Sequence, residues 1–116
     1  MVPETRLALD VVEWASRSAV ESVRRGDREL VAALVEAEAA VTAYPDDPAG
    51  FYLRGVVNQS RGRRGAALVD FAAVVRLDPG HALGWLMLSE VLAAVGEYDR
   101  ARAARAEAVR LDSTVG

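Results

Sequence analysis

Val75-Arg76-Leu77-Asp78 recurs as Val109-Arg110-Leu111-Asp112, thirty-four residues later. Phe51 and Trp85 share that offset, as do Gly62 and Gly96, Ala67 and Ala101, and Pro45 and Pro79. Matching several positions at one fixed offset constrains the fold more than any other feature. A generic helical bundle has no need of such an offset. A unit of this length is one supersecondary element that cannot bury its apolar face alone, so neighbouring copies must stack to make a core.

Glycine and proline punctuate the chain at the matching places. Breaks fall at Gly26-Asp27, Tyr44-Pro45-Asp46-Asp47-Pro48, Arg61-Gly62, Asp78-Pro79-Gly80 and Gly96-Glu97. The segments between them are rich in Ala, Leu, Arg and Glu, which favour helix, and none alternates with period two. The pattern predicts six helices and no strand, roughly over Pro3 to Arg25, Arg28 to Ala43, Pro48 to Ser60, Arg64 to Leu77, Ala82 to Val95 and Tyr98 to Leu111. Asp47-Pro48 is the clearest start signal, an N-cap followed by proline at the first helical position. Gly26 reads as a C-terminal stop and Asp27 as the next N-cap. The segment around Trp85 is apolar all the way round and must be covered on more than one side.

These residues resemble the tetratricopeptide repeat, a helix–turn–helix unit of the same period. A second repeat, about Pro48 to His81, supplies Phe51, Gly55, Gly62, Ala67, Phe71 and Pro79. It departs from the pattern at Arg54 and Asn58, where large apolar residues are usual. A third, about Ala82 to Val115, supplies Trp85, Leu88, Gly96, Tyr98, Ala101, Ala108 and Leu111, with Ser89 at the small position and Ser113 in place of the closing proline. Residues 1–47 read as a degenerate first repeat with an extended N-terminal helix. The resemblance implies an all-α, right-handed α-solenoid of about three helix–turn–helix units, with six antiparallel helices in a single domain over residues 1–116.

Composition removes several chemistries. The chain has 116 residues and no cysteine, so disulfides and thiolate metal sites are excluded. His81 is the one histidine, and a site needing two imidazoles cannot be built within one chain. All fourteen basic residues are arginine. Without lysine there is no phosphate-binding Gly-x-x-x-x-Gly-Lys loop, and no Gly-x-Ser-x-Gly nucleophile turn is present. Glu36 and Glu38 are two apart and do not share a helical face; Asp46 and Asp47 read as turn and cap residues. No cofactor, metal or enzymatic activity is expected.

The net charge of −3 gives no general argument for nucleic acid or an anionic membrane as partner. Arg61-Gly62-Arg63-Arg64-Gly65 is a basic cluster without interleaved aromatics, and reads as a solvated turn rather than a phosphate site. The start of the chain does not look like a secretory signal, and no apolar stretch approaches the ~20 residues of a membrane helix. Cytoplasmic residence is the expectation. The absence of lysine and isoleucine points to a GC-rich, bacterial coding bias.

By the resemblance, the first helix of each unit lines a concave surface that receives a peptide or a partner's helix. The matching positions are Ala49, Tyr52, Val56 and Gln59, then Leu83, Leu86 and Glu90, with Met87 beside them. Helical spacing puts residues 52, 56 and 59 on one face and 83, 86 and 90 on another, apart from Phe51 and Trp85. The expected function is a non-catalytic protein–protein interaction module, an adaptor, scaffold or chaperone-like holder of an apolar or amphipathic segment. The family's carboxylate clamp is not expected, since its positions hold Ser18, Ser22, Leu53, Leu83 and Met87. Two alternatives stay open: the 82–95 helix face meets its copy in a homodimer, or another helix of the chain folds over the groove.

Overall fold

A computed structural model describes residues 15–115, with side chains from Arg28 onward. The described residues are all-α: α1 (Ala15–Ala43), α2 (Pro48–Ser60), α3 (Arg64–Leu77), α4 (Ala82–Ala94) and α5 (Tyr98–Leu111). The chain divides into two units, residues 1–32 and 33–116. In the first, residues 15–32 are helical throughout.

One expectation is corrected. The break at Gly26-Asp27 does not occur: α1 runs through it as a single helix of 29 residues, so the described chain has five helices rather than six. Glycine within a helix costs only about 1 kcal/mol relative to alanine, so it permits a turn without imposing one. Arg25-Gly26-Asp27 has much the same local text as Arg61-Gly62-Arg63 and Val95-Gly96-Glu97, yet only the latter two form turns. There the flanking helices pack on each other, α2 on α3 and α4 on α5. The part of the expected first helix before Ala15 lies outside the described residues.

In the second unit the thirty-four-residue spacing is written into the backbone. The starts of α2 and α4, Pro48 and Ala82, stand at that offset, as do the starts of α3 and α5, Arg64 and Tyr98. The ends of α1, α3 and α5 (Ala43, Leu77 and Leu111) follow the same interval. Each of those three ends closes with an equivalent bond: Tyr44 N to Ala40 O, Asp78 N to Val74 O and Asp112 N to Ala108 O, at 2.8 to 2.9 Å. Gly62 and Gly96 adopt φ of 75° and 88°, the left-handed region that glycine enters without steric cost. Arg63 N then donates to Asn58 O, and Glu97 N to Leu92 O, both at 2.8 Å.

Close helix approach repeats at the same interval. A Cβ on Gly50 would lie 2.9 Å from Val41 N and 3.1 Å from the Ala40 Cβ; one on Gly84 would lie 2.7 Å from a Val74 methyl and 3.3 Å from one of Val75. The core joins α3, α4 and α5 through Ala67, Phe71, Val74, Leu88, Val91, Leu92, Ala101 and Ala104. Phe71 is fully buried, and its ring fills the space a side chain at Gly55 would need, 2.7 Å from that Cβ position. Trp85 and Phe51 are half-buried and pack against this cluster.

Candidate functional site

The first helices of the two helical hairpins are aimed by their N-caps. Asp47 accepts the Ala49 N–H through Oδ1 at 2.9 Å, at the start of α2. His81, thirty-four residues on, does the same for α4: its Nδ1 accepts the Gly84 N–H at 2.9 Å. That bond requires an unprotonated Nδ1, so the neutral ring carries its hydrogen on Nε2. His81 also stacks on Tyr52, with ring centroids 5.3 Å apart and an interplanar angle of 29°. Tyr52 meets Phe71 edge-on at 5.8 Å. The His81–Tyr52 stack thereby ties the start of α4 to α2, and the Tyr52–Phe71 contact ties α2 to α3.

The residues expected to form a binding face divide by exposure. Leu83 is 47% exposed and is the one apolar residue of the seven that is open to solvent. Tyr52, Val56 and Met87 are half-buried and pack against the core cluster, so each has a structural duty besides any contact with a partner. Gln59 and Leu86 are half-buried, and the Leu86 carbonyl accepts the Ser89 hydroxyl at 2.6 Å. Glu90 is exposed and lines an open cleft of about 260 Å³ with Tyr98, Arg102 and Arg105 between α4 and α5. Tyr52 is joined to the α4 N-terminus, where Leu83 lies one residue beyond Ala82. Leu53, 37% exposed, and Ala49 are the other open apolar positions on α2 among those considered. Ser18 and Ser22 fall where side chains are not described.

A second cluster has no counterpart among the expected site residues. Asp70 on α3 is 2% exposed. Its Oδ1 accepts Arg54 Nε at 3.0 Å and pairs with an Arg54 terminal nitrogen at 3.0 Å. Its Oδ2 accepts Asn58 Nδ2 at 2.9 Å. Arg54 also lies over the Phe51 ring, 5.5 Å from the centroid. The two residues that depart from the repeat pattern, Arg54 and Asn58, thus converge on one buried carboxylate. Their spacing signalled it: residues four apart share a helical face. Asp70 itself was the missed partner, a charge at the position where α5 has Ala104.

At the C-terminal end of α5, three described groups have shifted ionisation. The Arg110 hydrogen bond, with its charge, holds the Glu107 carboxyl below the usual carboxylate range, and Glu107 raises Arg110 in return. Thr114 donates its hydroxyl and its N–H to Asp112 Oδ1, at 2.7 and 3.0 Å, and lowers that carboxyl. No group of three or more His, Cys, Asp or Glu stands ready for a metal among the described residues. No described helix is long and apolar enough to cross a membrane. The chain matches no protein-family model and no curated protein.

Proposed function

We propose that the chain is a tetratricopeptide-type, right-handed α-solenoid of about three units that serves as a non-catalytic interaction module. It receives an apolar or amphipathic segment along the face carrying Tyr52, Val56, Gln59, Leu83, Leu86, Met87 and Glu90, without a carboxylate clamp. The observation that carries this reading is the recurrence of caps, turns and close helix contacts at the thirty-four-residue interval. Stacked units of that kind present successive first helices along one surface. The α2–α4 link through Tyr52 and His81 supports it, since it joins two such helices. Cytoplasmic residence in a bacterium belongs to the same proposal.

Leu83→Glu tests the face better than Tyr52→Ala, because Leu83 is exposed whereas Tyr52 packs on Phe71. The expected result is an unchanged melting temperature with loss of the proteins co-purifying with the parent. Recovery of the same proteins by both would refute the face. A second reading, a homodimer through α4, draws on the exposure of Leu83 and Val95, 47% and 42%. Light scattering separates the two: a monomer at high concentration sinks the dimer.

A further inference from the structure

The α2–α3 hairpin carries a polar site that the α4–α5 hairpin does not. At the thirty-four-residue offset, Arg54, Asn58 and Asp70 stand where Leu88, Leu92 and Ala104 form core. Arg61 and Arg63 stand where Val95 and Glu97 do. Well-packed apolar residues serve stability at least as well as a buried ion pair. Stability therefore does not account for the exchange.

All five residues line one cleft of about 380 Å³, a size suited to a small group or a chain end. Three features leave it unsatisfied. Arg61 and Arg63 form no ion pair within the described chain. The first turn of α3 beside them has neither a side-chain cap nor an acid, whereas α5 has Asp99 there. Asn58, only 6% exposed, gives Nδ2 to Asp70, and its Oδ1 accepts no hydrogen bond from a described residue.

The charges select the ligand. Arg54, Arg61 and Arg63 face Glu38 and Asp70, which leaves one net positive charge. That balance matches a single carboxylate better than a dianionic phosphate. The free Asn58 Oδ1 asks for an N–H close to the anion. Leu34, Ala66 and Val69 supply an apolar wall. We infer that this cleft captures the C-terminal carboxylate of a peptide with an apolar last residue. Arg61 and Arg63 pair with the carboxylate, Asn58 Oδ1 accepts the terminal residue's N–H, and its side chain lies against the apolar wall. Arg54, Asn58 and Arg61 each follow Tyr52, Val56 and Gln59 by two residues, about 200° around the helix. The site is thus separate from the proposed groove and does not depend on it.

The test titrates the full chain with acetyl-Ala-Ala-Ala-Val bearing a free C-terminus, and with its amide, at low ionic strength. The free acid is expected to bind saturably, with the amide weaker by about tenfold or more. R61E/R63E is expected to lose at least about tenfold in affinity at an unchanged melting temperature. R54L/N58L/D70A, which recreates the α4–α5 pattern, is expected to stay folded and lose binding. L83E is expected to bind like the parent, which separates this site from the groove. The inference is overturned by no saturable binding of the free acid below about 10 mM. Equal binding of acid and amide, or parent-like binding by R61E/R63E, overturns it as well. If R61E/R63E is poorly folded, R61Q/R63Q takes its place with the same outcomes.

Discussion

Asp70, a carboxylate almost wholly removed from solvent, is held by Arg54 through two guanidinium nitrogens, each 3.0 Å from Oδ1. The Arg54 side chain is 26% exposed, so the pair is buried at one end and open to the cleft at the other. Removing one partner leaves an uncompensated charge. Asp70→Ala is expected to cost about 3–5 kcal/mol, whereas the triple change to Leu, Leu and Ala is expected to fall near the parent or above it. Urea unfolding of the two variants checks this; equal losses would mean the cluster contributes as separate contacts.

Gly26 and Gly96 should respond to alanine with opposite signs. Gly26 lies inside α1, where Gly→Ala gains up to about 1 kcal/mol. Gly96 sits at φ 88°, where a side chain costs about 1–2 kcal/mol. Thermal melts of both variants measure the difference. A destabilised Gly26→Ala would restore the turn there.

Trp85 has two roles that substitutions separate. The ring packs half-buried against the core, and Nε1 donates to the Pro79 carbonyl at 2.8 Å. Trp85→Phe keeps most of the packing and is expected to cost about 1 kcal/mol through the lost bond. Trp85→Ala is expected to cost about 3 kcal/mol, the low end for a large aromatic because the site is only partly closed. A melt unchanged by Trp85→Ala would remove it from the helix stack.

His81 and Asp47 do one job at equivalent positions. His81→Ala is expected to destabilise by about 0.5–2 kcal/mol through loss of the α4 cap. His81→Asp is expected to recover the cap, as Asp47 provides it for α2. Amide exchange reports the cap directly: Gly84 is expected to exchange fast in His81→Ala, and Leu83, which stands where Ala49 does in α2, is expected to exchange slowly in His81→Asp.

Asp112 gives the end of α5 a pH dependence. Its folded carboxyl is lowered, chiefly by the Thr114 side-chain bond, so its contribution is present above the unfolded value of 3.8 and is lost as pH falls through the folded one. NMR of the Thr114 amide is expected to show the turn intact at neutral pH and opening in acid. Asp112→Asn removes that titration. An amide insensitive to acid in the parent would contradict the assignment.

The sequence alone carried the helical class, the interval and four of the five interhelical breaks. Those follow from short-range physics: proline and capping residues start helices, glycine accepts the left-handed turn, and equal spacing of small and aromatic residues demands equal packing. It also marked Arg54 and Asn58 as anomalies. The tertiary structure decided the rest. Gly26 stayed helical, since glycine permits a turn without imposing one. Tyr52, expected on an open face, is partly committed to Phe71 and His81. Asp70 became the partner of Arg54 and Asn58 because α3 folds back along α2, bringing residues twelve and sixteen apart within hydrogen-bond reach. No local pattern states such a pairing, since its energy comes from desolvation and geometry that exist only once the helices are packed.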